Sequence, residues 1–410
     1  MRWVTTSCSA IALSGLLATS VYAQSARPAE LRLFPVVPAW NRPLDAVMPA
    51  PPASAGNRAF LPIEGDRLMA VDIQRGTSLW TIPARPLFAP ATGDGLVFLA
   101  EPEALSARRQ DTGELAWRVP FAAELAVPLV WDNGWLVAAE SSGNVLAFRA
   151  TDGVLIWRQN LEQRVHALPA LAADRVYVAL ENRHVVALDV ATGDPLWSRR
   201  LGGPPNDMLA TDDRIYVGSD DNYLYCIDAV SGEIDWRWRT GADVIGAPVT
   251  DGSRVYFVSR DNVLRALDRK SGAQRWKRAL PGRPTRGVVR AGDLLLVSGL
   301  APKVSAFAMK DGSPAGDITS PGELAASPFV TDVRGVPQVV LVSRDIAAGT
   351  RVLAVKRLID PPMNPQMPVL PGAVAANAAP GSAPPAGAGA PPPGTPPGTA
   401  SPPGTPAPPR

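Results

Sequence analysis

The sequence predicts an all-β chain: an eight-bladed β-propeller of four-stranded antiparallel blades, closed by an N-terminal strand in the last blade. Three observations predict it. A small residue is followed six places on by Gly and four places further by Trp, as in Ala187, Gly193 and Trp197, and this frame recurs along most of the chain. Its glycines (Gly76, Gly113, Gly153, Gly193, Gly232, Gly272 and Gly312) lie 37, 40, 40, 39, 40 and 40 residues apart. The run before each Gly alternates or is rich in Val, Leu and Ile, as in Tyr223-Leu224-Tyr225-Cys226-Ile227. A period of about 40 residues with strand-like content signals a propeller or a similar array.

Each part of the frame has a physical reason. Pairs such as Thr192-Gly193 and Ser231-Gly232 suit a tight hairpin with positive φ at the Gly. Trp80, Trp117, Trp157, Trp197, Trp236 and Trp276 then fall on the returning strand. Gaps between radiating blades widen outward, so a small residue on an inner strand and an indole on the outer strand fill the taper. The seventh copy, Ala306 and Gly312, has Gly316 where Trp is expected.

In chain order, residues 1–23 read as a secretory signal: Arg2, an apolar run from Ile11 to Ala18, and Val21-Tyr22-Ala23 before a cut at Gln24. The alternative is an uncleaved anchor, for which the run is short. Cys8 precedes the apolar core, so a lipid anchor is not expected. Residues 24–360 are the propeller. Short segments before the long strands carry Pro, as at Pro128, Pro169 and Pro248, which suits a channel-lining strand with one unpaired edge. Ala46-Val47-Met48-Pro49 resembles them. After Gly312 come three more strand-like runs, around Phe329, Leu341 and Leu353, and no fourth. Leu33–Trp40 is expected to supply it, with Trp40 in the indole position, so that closure removes exposed edges. Residues 361–410, rich in Pro, Gly and Ala with repeated Pro-Pro-Gly-Thr, read as a disordered tail of polyproline II bias. A passive spacer is the plain reading, and a docking strip the sharper one.

A net charge of +2 without an extended basic run gives no argument for nucleic acid. Past the signal, Cys226 is the one cysteine, so no intrachain disulfide can form. It stands where other repeats place Ala and reads as a packing residue.

The frame Ala-x-Asp-x-x-x-Gly-x-x-x-Trp, complete at Ala70/Asp72/Gly76/Trp80, Ala187/Asp189/Gly193/Trp197 and Ala266/Asp268/Gly272/Trp276, resembles the tryptophan-docking repeat of the quinoprotein (PQQ-binding-like) β-propeller superfamily. The likeness covers about residues 31–360. Short loops and an export signal are similar to the BamB-like branch, non-enzymatic propellers that assist outer-membrane protein assembly. That resemblance implies a monomeric exported scaffold, periplasmic and held at the outer membrane through a protein partner, with no cofactor and no transmembrane span in the mature chain. The alternative is the dehydrogenase branch, which implies PQQ with Ca²⁺. Its adjacent Cys-Cys pair and long insertions are lacking here.

No catalytic or metal-ligating residue is assigned. His166 and His184 are the only histidines and have no carboxylate or cysteine at ligand spacing. The candidate partner-binding rim is a ring of inter-blade loops. Arg85, Arg164, Asp243, Arg283 and Glu323 stand five residues before the Pro-equivalent, with Ala123 and Gly203 in the other slots, and Arg286 and His166 nearby. Such a charged rim can select a partner and set its register.

Overall fold

A computed structural model describes residues 33–44, 46–333, 336–345 and 349–358. The signal region 1–23 and the tail 361–410 lie outside the described residues. All regular structure among the described residues is β, in eight antiparallel sheets. No helix among them is long and apolar enough to cross a membrane.

Blade 1 runs outward through Ala53–Ala55, Arg58–Ile63, Arg67–Asp72 and Ser78–Pro83. Blades 2 to 7 repeat this order over 91–120, 130–160, 170–200, 205–239, 244–279 and 289–319. Blade 8 joins both ends of the propeller: Val336–Asp345 and Gly349–Arg357 are followed in space by Val36–Leu44. Its inner position is divided between Glu323–Leu324 and Phe329–Val333. Inner strands of neighbouring blades meet, and Phe329–Val333 meets Ala53–Ala55, so the ring closes. Eight apolar clusters fill the eight blade interfaces, one each.

The indoles hold this ring by a repeated joint. Each Trp lies directly across from the small residue of its frame, as Trp80 from Ala70 and Trp236 from Cys226. That small residue is on the third strand, beside the indole, and not on an inner strand. In five blades the second strand adds an aromatic on its other side: Phe60, Phe98, Tyr177, Tyr216 and Tyr256. Ring centroids approach to between 5.8 and 6.0 Å over the small residue, a favourable tilted contact. The indole also faces the next blade. A Cβ on the hairpin Gly of that blade would lie 2.5 to 2.9 Å from the ring, from Gly76 against Trp40 to Gly113 against Trp80. Glycine is therefore required twice over, for φ near +70° and for room. The indole N–H donates into the same turn, from Trp40 to Ile73 O at 2.6 Å and from Trp157 to Val190 O at 2.7 Å. From blades 4, 5 and 6 a tyrosine joins it: Tyr177 with Trp197 on Ala229 O, Tyr216 with Trp236 on Arg269 O, Tyr256 with Trp276 on Met309 O.

The Asp of the full motif caps its turn. Asp189 accepts from the Ala191 and Thr192 amides, and Asp228 and Asp268 accept in the same way. The buried Cys226 thiol is pushed up to about 12 by burial, and by Asp235 to a lesser extent, which suits a packing role.

Three expectations need correction. The closing strand is Val36–Leu44 rather than Leu33–Trp40. Trp40 does pair with Ala354, but Leu33 and Phe34 turn away to seal the interface of blades 7 and 8. There the Phe34 ring occupies the space beside Gly316, whose added Cβ would lie 2.5 Å from it. A Trp at 316 would have no hairpin Gly to dock on, because the third and fourth strands of blade 8 come from opposite ends of the chain. Ala46–Pro49 is not a strand, since the inner strand of blade 1 is Ala53–Ala55. Nor are the Pro segments of blades 3 and 4 continuous strands. Single bridges, Leu125 to Glu140 and Val165 to Leu180, precede three-residue strands, with Pro128 and Pro169 in the breaks.

Candidate functional site: the axial face

The propeller has two unlike faces. On one, the connections between blades are pinned to the turns joining second and third strands: the Ala84 amide donates to Asp66 O, Leu161 to Gly143 O, Thr240 to Asn222 O. On the other, the Gly hairpins are pinned to the turns joining first and second strands, as by the Val190 amide on Asp174 O. Arg85, Arg164, Asp243, Arg283 and Glu323 all belong to the first, axial face.

The structure shows how these side chains are engaged. Arg85 faces Asp66 at 3.7 Å, Arg164 faces Glu181 at 3.7 Å, and Asp243 faces Arg260 at 3.6 Å. Each opposite charge comes from a turn joining second and third strands, so much of the rim is paired within the chain. Exposed pairs at this separation hold little energy and are readily exchanged. Arg283 makes no ion pair among the described residues. Glu323 lies on the divided inner strand of blade 8, opposite Arg344 in register.

Six blades, the third to the eighth, converge on an axial hollow of about 530 Å³. Of the rim residues, His166 and Arg286 line it; the other five do not. The hollow also holds Asp207, Asp220 and Arg260, none of which the repeat pattern singled out. Burial holds the Asp207 carboxyl above the usual carboxylate range, against the Leu168 amide at 3.4 Å and the attraction of His166. Burial likewise lowers the Arg286 guanidinium, with Glu323 opposing. Arg286 donates to Leu324 O at 3.2 Å and Ala325 O at 3.0 Å. Neither Asp207 nor Arg286 forms an ion pair among the described residues. Desolvated charge without an ion-pair partner costs stability where it stands.

Calcium takes six to eight oxygen ligands, commonly several carboxylates, and among the described residues no three His, Cys, Asp or Glu side chains converge as metal ligands. His184 lies apart, its Nδ1 3.1 Å from Asn182 O at a turn.

Comparison with known proteins places the fold in a family. Residues 101–212 and 199–357 match the family model described as outer membrane protein assembly factor BamB. The protein of that name from Moranella endobia is 26% identical over 186 residues, 40% of this chain and 47% of the relative. That from Bordetella pertussis is 26% identical over 214 residues, 48% of this chain and 55% of the relative. The chain thus spans about half the length of the curated relatives it matches. Among solved structures, BamB from Moraxella catarrhalis superposes with a TM-score of 0.61 at 18% identity, covering 78% of this chain and 99% of that one. Quinohemoprotein alcohol dehydrogenase from Comamonas testosteroni also reaches 0.61, at 11% identity over 78% and 76%. At such identities the likeness shows the fold alone, a fold that enzymes share. The family match extends from residue 101 to residue 357, more than half of the sequence, and on that ground the chain belongs to the outer membrane protein assembly factor BamB family.

Proposed function

We propose that this chain is an exported, non-enzymatic scaffold that docks protein partners of the outer-membrane assembly machinery through its axial face. The observation that carries the reading is the family match over 101–357. The unpaired, desolvated charge at Asp207 and Arg286, framed by the exposed pairs of Arg164 and Asp243, supports the choice of face. Charges that pair weakly within the chain can be re-paired by a partner, which sets register and association rate. No catalytic step and no cofactor is assigned. Residues 1–23 then act as the export signal, 24–360 as a monomeric periplasmic propeller, and 361–410 as a Pro-rich spacer. Attachment to the outer membrane runs through the partner.

The test is capture of assembly-machinery proteins from an envelope extract, identified by mass spectrometry. Arg164→Glu with His166→Glu places new carboxylates beside Glu181 and Asp207. Capture is expected to fall at least about tenfold, roughly 1.4 kcal/mol. Undiminished capture by the folded variant removes this face from the docking surface.

A further inference from the structure

The axial face carries a second feature, confined to blade 7. In blade 6 the crevice between the incoming connection and the second turn is closed by a polar plug. Asp261 accepts from the Gly241 amide at 2.9 Å, from Ser259 Oγ at 2.5 Å, and from Arg265 Nη2 at 2.6 Å. Burial raises the Asp261 carboxyl, but these bonds outweigh it and hold the carboxyl at about 2. Blade 5 closes the same place with Asp221, bonded by the Tyr225 hydroxyl at 2.5 Å, beneath Gly202.

Forty residues on from blade 6, all four members of the plug are replaced at once. Gly241 becomes Pro281, which has no N–H; Ser259 becomes Gly299; Asp261 becomes Ala301; Arg265 becomes Ser305. Loss of one member would strand a buried polar group, whereas loss of all four leaves an apolar space. A hollow of about 350 Å³ opens there, walled by Leu280, Pro284, Val297 and Leu300. Leu300 is 71% exposed at its lip. The Ser298 hydroxyl, 1% exposed, lines the hollow and has no hydrogen-bond partner among the described residues. The charged lining residues are two cations, with no carboxylate. Lys303 is engaged by Asp317 at 2.7 Å, which leaves exposed Arg283 without an ion pair among the described residues.

We propose that the blade 7 hollow is a specificity pocket for a partner polypeptide, taking one aromatic side chain that is flanked by carboxylates. Its volume and aliphatic wall accept a ring, a buried anchor of the kind that dominates interface energy. Arg283 at the rim selects the acidic flank by charge complementarity. The proposal deepens the docking reading above and rests on it. Its test uses defined peptides, so it can fail while capture of the assembly machinery succeeds, and the reverse.

The experiment is fluorescence anisotropy of the full chain with dye-labelled peptides in a Gly-Ser frame, bearing Glu-Phe-Glu, Lys-Phe-Lys or Glu-Ser-Glu at the centre. Wild-type protein is expected to bind Glu-Phe-Glu at least about tenfold more tightly than the other two. The variant Pro281→Gly/Gly299→Ser/Ala301→Asp/Ser305→Arg transplants the blade 6 plug and is expected to lose that preference. Should the fourfold variant not fold, Arg283→Glu, on an exposed side chain, is expected to reverse the preference between Glu and Lys flanks. Equal affinity for all three peptides overturns the proposal. So does unchanged Glu-Phe-Glu binding by the folded plug variant, or by Arg283→Glu if the plug variant does not fold. Binding of free phenylpropionate with none of Glu-Phe-Glu shows a small-molecule site instead and overturns the polypeptide occupant.

Discussion

Asp207 shows what a single side chain costs and why it is informative. Its carboxyl is raised by burial, so ionisation is harder in the folded chain than in the unfolded one. The sign follows from linkage. Below the unfolded carboxylate range both states are protonated and no penalty exists; as pH rises through the folded value the penalty develops and persists at neutral pH. Asp207→Asn is therefore expected to stabilise the protein at pH 7. The gain should shrink toward zero when unfolding is repeated in acid below the carboxylate range. Equal effects at both pH values would show that the carboxylate is comfortable where it stands. Nothing in the sequence marked Asp207, because it occurs once and outside the repeat. Arg286 and His166 were legible only as neighbours of a loop position.

Between residues and the ring stand the blades, and here the period carried most of the information. Gly76 through Gly312 and Trp40 through Trp276 recur in phase, so their joint was readable before any geometry. The second reason for Gly, contact with the indole of the preceding blade, needed coordinates. The tilted aromatics came from the structure, although Phe60, Tyr177, Tyr216 and Tyr256 each stand ten residues before the small residue they cover, and Phe98 nine. Phe34 was not readable, since a residue used once leaves no periodic trace. Its place against Gly316 gives a prediction opposite to the repeat pattern. Gly316→Trp restores the consensus frame, yet the added side chain meets the Phe34 ring and a backbone at φ +150°. It is expected to destabilise by about 1–3 kcal/mol in chemical unfolding; stabilisation would show that the consensus outweighs the Phe34 contact.

At the scale of the molecule, closure and function are linked. The ring confines the unpaired inner edges to short strands around the axis, and pairing of Val36–Leu44 with Gly349–Arg357 lets one chain complete eight blades. Rigidity allows loops from six blades to present His166, Asp207, Arg260 and Arg286 in one hollow, with little ordering cost on binding. Two faces built from different turns give a direct test of the docking role. A photo-crosslinking amino acid is placed at residue 166 on the axial face, or at residue 230 on the Gly-hairpin face, where Val230 is 63% exposed. Irradiation in intact cells is expected to join an outer-membrane assembly protein to the chain from position 166 and not from position 230. Crosslinks from position 230 with none from position 166 would contradict the assignment of the axial face.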